Sequence, residues 1–223
     1  PYCFEEGVKG NLYMAEATAA RLLAFIQDKW RDNKDTLLID FYGGEPLLSL
    51  GLIQSMSQAL KPFAESRGAR YAFTLTTNGS LFTKEAADKL VPLGLKNVKV
   101  TLDGPAEIHN QFRPFKSGAG SFDAIVRNIK ATCDLVKISI GGNFTRENYE
   151  RFPLLLDYLT EVGLTPDKVS LVKFDPVVSR RADDASPADY RGGCISINEP
   201  WLLQAEAFLR EGILSRGYKT SKP

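Results

Sequence analysis

Polar and apolar positions alternate along this chain in two distinct rhythms. Short runs rich in β-branched and aromatic residues fall at 37–42, 71–77, 98–102, 136–143 and 169–174. Between them lie stretches at helical spacing: 15–30, 51–67, 84–93, 122–134 and 149–163. In the last of these, Phe152, Leu155, Leu156 and Leu159 recur at three- and four-residue steps, which places them on one helix face. Ser121 and Asn148 stand where caps are expected. Strand, helix, strand, repeated this often, predicts an α/β fold of parallel strands with right-handed helical crossovers. The strand runs read as apolar on both faces, as strands covered on both sides would be. An open doubly wound sheet and a full or partial barrel both satisfy that pattern.

The rhythm changes after Phe174. Pro176, Pro187, Gly192, Gly193 and a mixed charge cluster (Arg180, Arg181, Asp183, Asp184) predict a surface connection. It leads to a final amphipathic helix near 199–214, carrying Leu202, Leu203, Ala205, Phe208 and Leu209. The expected organisation is a core at 1–178, a connecting segment at 179–198 and a C-terminal helical part at 199–223.

Composition narrows the classes. The chain has 223 residues, a net charge of +1 and three cysteines. That charge gives no electrostatic case for nucleic acid or an anionic membrane. No apolar run approaches the ~20 residues of a membrane span. Three cysteines do not make a secreted disulfide framework, so a reducing cytoplasm is the expected compartment.

In α/β folds of either kind, ligands bind at the carboxyl ends of strands, and four strand ends here carry unusual residues. The first leads into Gly43-Gly44-Glu45-Pro46. Its glycines let the backbone approach a ligand, its carbonyls can accept from a cationic amine, and Glu45 adds a charge; on turn chemistry alone it is a tight strand-to-helix turn. The next ends Thr76-Thr77-Asn78-Gly79, offering hydroxyl and amide groups to a ribose or carboxylate, or simply an Asn-Gly turn. The next ends Thr101-Leu102-Asp103-Gly104-Pro105, followed by His109 and Arg113. Asp103 is a catalytic or binding candidate or a turn aspartate. Arg113 can grip a carboxylate through two parallel hydrogen bonds or form a surface ion pair. His109 is the only histidine, which argues against a histidine-based metal site or triad and for a structural role. The fourth run ends at Asn143, which can point into the same mouth. No strand end carries a convincing glycine-rich phosphate loop.

Taken in order, these pieces resemble the radical S-adenosylmethionine (SAM) enzymes, nearest the peptide- and protein-modifying branch that includes the anaerobic sulfatase-maturating enzymes. Pro1-Tyr2-Cys3-Phe4 resembles the end of the family's CxxxCxΦC cluster loop. The GGEP motif is intact at 43–46, the TNG strand end at 77–79, the "LDGP…IH…R" block at 102–113, and the "GxGSFD" helix start at 118–123.

The resemblance implies a partial (β/α)6 barrel whose first strand would precede this chain. It implies a [4Fe–4S] cluster with Cys3 as one ligand, expected to be absent from this chain because the other two cysteines would lie before Pro1. The segment 1–6 is then expected to be poorly anchored. It further implies SAM contacts from Tyr2 (adenine), Phe4, the Gly43–Pro46 turn (methionine amine), Thr76 and Thr101 (near the ribose and carboxylate), Asn78, Asn143 and Arg113 (carboxylate). The family commonly has Gln and Ser where this chain has Thr76 and Thr101. Asp103 would face the substrate. The expected partners are a peptide or protein substrate and an electron donor such as flavodoxin or ferredoxin. Auxiliary clusters would follow the final helix, with Cys194 and Cys133 read as ordinary thiols. The competing reading is a non-catalytic barrel that binds a peptide.

Overall fold

A computed structural model describes residues 13–30, 35–177 and 200–221. The elements run α1 (Glu16–Lys29), β1 (Thr36–Phe41), α2 (Leu50–Glu65), β2 (Arg70–Thr77), α3 (Lys84–Leu90), β3 (Leu95–Thr101), α4 (Ala106–Phe112), α5 (Phe122–Thr132), β4 (Lys137–Phe144), α6 (Phe152–Glu161), β5 (Val169–Pro176) and α7 (Pro200–Ser215). Single 3₁₀ turns at Pro46–Ser49, Val91–Leu93 and Tyr149–Arg151 join some of them. The five strands are parallel and lie in one sheet in the order β1-β2-β3-β4-β5. That sequential order decides between the two topologies the sequence allowed: a doubly wound sheet reverses direction at a switch point, and this one does not. The sheet is open, as in a partial barrel.

Two elements depart from the sequence reading. The helix α4 was not expected, because Asp103-Gly104-Pro105 reads as a turn and only seven residues follow before Arg113 ends the helix. The strand β3 starts at Leu95, where Lys96 and Asn97 dilute the apolar pattern. The expectation of strands apolar on both faces also fails for β1–β3. Thr74 pairs in register with Asp40 and Asn97, and Thr76 with Lys99, so one face is polar. Leu38 on β1 is 60% exposed.

The chain divides into two compact units. One contains the described residues of Asn11–Val100 together with Arg127–Ile138. Its core gathers Leu37, Ile53, Met56, Leu60, Phe73, Leu75, Leu90 and Val98, all buried. Phe73 meets Phe41 edge to face at 5.5 Å, and Tyr71 takes a buried hydrogen bond with Ser57 at 3.0 Å. The helix α3 is started by Thr83, whose hydroxyl accepts from Ala86 N–H, as N-cap threonines do.

The other unit contains Thr101–Val126 and the described residues of Ser139–Pro223. Phe152 stands at its centre, 4.6 Å from the Phe174 ring and 6.3 Å from Phe144, both edge to face. Gly142 is required here. A Cβ at that position would lie 2.3 Å from Leu102 O and 2.9 Å from Phe152, so any side chain would force the backbone apart. The helix α7 docks through buried Leu202, Ala205, Leu209 and Ile213. Tyr218 just beyond it is buried and donates to Leu164 O at 2.7 Å.

Neither expected cap hydroxyl or amide acts on its own helix as predicted. The Asn148 side chain accepts no cap bond from the turn it precedes and instead accepts from Thr145 N–H at 2.7 Å. The first amide of α5, Phe122 N–H, is satisfied by Asn110 Oδ1 of α4 at 3.0 Å, while the Ser121 hydroxyl is used elsewhere.

Candidate functional site

The GGEP turn follows β1. Gly43 has φ +143°, a conformation that side chains rarely adopt. Neither Gly43 nor Gly44 has a described atom within 4 Å of a hypothetical Cβ. Packing by the described residues therefore does not exclude a side chain at Gly44. Glu45 does not project a bare charge. Its Oε1 accepts from Leu47 N–H at 3.1 Å and from Thr77 Oγ1 at 2.7 Å, and its Oε2 accepts from Asn78 N–H at 2.8 Å. One carboxylate thus caps the 3₁₀ turn at Pro46 and ties the end of β1 to the end of β2. Asn78 is itself shaped by a turn, its Oδ1 accepting from Ser80 N–H and Ser80 Oγ. Asn128 donates to Gly79 O and Ser80 O, which pins the same turn from α5. Thr76 lies on the polar face, opposite Lys99 in register.

The second cluster stands after β3 and β4. The Asp103 carboxylate is fully buried. Its Oδ1 accepts from Asn143 N–H at 2.7 Å and from Asn143 Nδ2 at 3.2 Å. Its Oδ2 accepts from Arg113 Nε, an ion pair whose arginine side chain is 31% exposed. Three of the sequence candidates, Asp103, Arg113 and Asn143, are therefore in direct contact. Asp103, read from sequence as facing the substrate, is enclosed by the other two.

His109 belongs to this cluster. It is fully buried on α4, and its Nδ1 accepts from Asp103 N–H at 3.1 Å. An acceptor Nδ1 carries no proton, so the neutral ring holds its proton on Nε2. That nitrogen lies 3.1 Å from Ser121 Oγ, whose own proton goes to Arg113 O at 2.6 Å. Burial pushes the imidazole pKa down to about 4, with Asp103 opposing and Arg113 reinforcing the shift. The histidine is thus buried and hydrogen-bonded through both ring nitrogens. Phe122 packs edge to face against it at 5.7 Å.

Tyr2, Cys3, Phe4 and Cys194 lie outside the described residues, as do the segment 1–6 and the connection at 179–198. Among the described residues no group of three His, Cys, Asp or Glu side chains is placed to hold a metal ion, and no helix is long and apolar enough to cross a membrane. Cys133 is a half-buried thiol. Ser121, Asn110, Asp40 and Lys99 were not singled out as site residues from sequence. The period-two alternation of Asn97, Lys99 and Thr101 along β3 was the available signal for the polar face.

The model for the radical SAM superfamily matches residues 1–159. Among curated proteins, Fe-coproporphyrin III synthase of Methanosarcina barkeri is 36% identical over 126 residues, 56% of this chain and 29% of that protein. An AdoMet-dependent heme synthase of the same organism is 27% identical over 180 residues, 78% of this chain and 47% of its own length. Pre-heme d1 synthase of Dinoroseobacter shibae is 26% identical over 182 residues, 80% of this chain and 42% of its own. The chain spans less than half the length of each. Among solved structures, native anSMEcpe with bound AdoMet and Kp18Cys peptide aligns with a TM-score of 0.72 at 17% identity, covering 98% of this chain and 58% of that one. HydG, a maturase of the [FeFe]-hydrogenase, aligns with a TM-score of 0.58 at 11% identity, covering 96% of this chain and 51% of that one. At such identities these likenesses bear on the fold alone.

Proposed function

The chain belongs to the radical SAM superfamily, and from that premise we propose that it binds SAM and initiates hydrogen abstraction from a peptide or protein side chain. The observation that carries the reading is the Asp103–Arg113–Asn143 cluster at the ends of β3 and β4, in a chain whose GGEP glycines have no described atom within 4 Å of a hypothetical Cβ. A planar guanidinium held from behind by a buried carboxylate suits a second carboxylate in front. In that respect Arg113 fits the SAM carboxylate; the 43–46 turn is assigned to the amine by its motif, through backbone carbonyls that can accept from it.

When bound, a [4Fe–4S] cluster supplies the electron that cleaves SAM to methionine and a 5′-deoxyadenosyl radical. Cys3 is the residue of this chain that would hold it. The rest of the chain's task is to bind and orient. Glu45 holds the GGEP turn against the end of β2. Asp103 acts by holding Arg113 and Asn143 rather than by touching the substrate. Thr76, Asn78 and Thr101 offer polar groups at strand ends. An electron donor of the flavodoxin or ferredoxin class completes the system.

A second reading, favoured by the names of the curated relatives, is a tetrapyrrole substrate in place of a peptide. One experiment addresses both. The full-length protein, with its cluster rebuilt anaerobically, is incubated with SAM and dithionite. Formation of 5′-deoxyadenosine is the expected result, and its absence would sink the radical reading and leave a binding module. Deuterium from labelled peptides, or from labelled iron-coproporphyrin, should then appear in the 5′-deoxyadenosine, and which one delivers it decides the substrate class.

A further inference from the structure

Arg113 closes a short excursion of chain. From Asp103 to Arg113 the backbone leaves β3, makes the two turns of α4 and returns. The two ends meet in an ion pair, but an ion pair alone does not fix a long, partly exposed arginine. Its main chain must also be held.

The geometry points to His109 and Ser121 as positioning residues for Arg113, acting through a hydrogen-bonded relay that grips the backbone at both ends of this segment. The inference rests on the reading of Arg113 as the group that receives the SAM carboxylate. The relay has a single direction. Asp103 N–H donates to Nδ1, Nε2–H donates to Ser121 Oγ, and Ser121 O–H donates to Arg113 O. Arg113 O has no proton, so the serine must give its own. That leaves the serine oxygen to accept from Nε2–H, which in turn leaves Nδ1 to accept from Asp103. Each donor finds an acceptor only when the imidazole is neutral. Both the histidine and the serine are buried, so water does not substitute for a missing member. The backbone of Asp103 and the backbone of Arg113 are thereby referred to one ring. The carboxylate of the first then meets the guanidinium of the second from a fixed base.

A residue that only holds the fold together and one that aims Arg113 differ in what they do to ligand selectivity. Equilibrium dialysis with the full-length, cluster-reconstituted protein compares SAM with decarboxylated SAM, which lacks the group Arg113 would receive. The wild type should prefer SAM. Ser121→Ala, which removes one oxygen, and His109→Gln should each reduce that preference about fivefold, the worth of one neutral hydrogen bond, while affinity for decarboxylated SAM changes less than twofold. Arg113→Gln should abolish the preference. Equal weakening of both ligands in variants that remain folded by circular dichroism, or an unchanged preference, would overturn the positioning role while the reading of Arg113 stands. A wild type without preference for SAM removes the carboxylate-binding reading and the inference with it. Ser121→Ala keeps the test decisive if His109→Gln does not fold.

Discussion

The Asp103 carboxylate has no exposed surface, while the Arg113 side chain that donates to it keeps about a third of its surface exposed. The pair is asymmetric: the acid is a buried anchor and the base reaches outward. Removing the acid should therefore cost stability as well as function. Asp103→Ala leaves Arg113 Nε and Asn143 N–H without their acceptor and should destabilise the fold by about 3 kcal/mol. Urea unfolding, read as a lower midpoint at unchanged slope, checks this.

The neutral His109 makes stability depend on pH. In the folded protein the ring takes up a proton only near pH 4, against about 6.5 when unfolded. Between those values the unfolded chain binds more protons, so acid favours unfolding there. The stabilisation is fully present above pH 6.5 and is lost as pH falls toward 4. The gap of about 2.5 units corresponds to at most roughly 3 kcal/mol. Unfolding free energy measured from pH 7 to 4 should fall accordingly in the wild type. In His109→Gln that component of the slope should disappear.

Two glycines should separate folding from binding. Gly142→Ala places a Cβ 2.3 Å from a backbone oxygen and should destabilise by about 2 kcal/mol or more. Gly44→Ala meets no described atom and should leave stability within about 0.5 kcal/mol. If the turn at 43–46 cradles SAM, the Gly44 variant should nonetheless bind SAM at least tenfold more weakly. Thermal unfolding beside equilibrium dialysis tests both expectations on the same samples.

Glu45 ties two strand ends together with three accepted hydrogen bonds. Glu45→Ala should free Asn78 N–H and cost about 2 kcal/mol. Amide hydrogen exchange at Asn78 and Leu47 should accelerate well beyond that at Phe73 in the strand core.

The sequence carried the five strands and the long helices because their apolar spacing is strong. It carried the four strand ends because Gly, Asn, Asp and Thr interrupt that spacing there. The helix α4 was hidden, since a seven-residue element after Gly104-Pro105 has too few positions to show a period. What each polar group does was also hidden. Glu45 looks like a ligand-facing charge, yet its partners Thr77 and Asn78 lie more than 30 residues away. Ser121 looks like a helix cap, but its hydroxyl turns back to Arg113, and Asn110 takes over the capping. Such pairings come from tertiary packing, and a one-dimensional pattern does not hold them.

The stretch from Asp103 to Arg113 works as a ruler. Its two ends are read against the same imidazole, and the graduations between them are the turns of α4. One residue added inside 106–112 would rotate everything beyond it by about 100°, swinging Arg113 away from Asp103. Added residues at 114–119, past the arginine and before the relay's serine, would change only the length of a return loop. Length variation among natural or engineered versions of this chain should therefore gather in the return loop and avoid the helix.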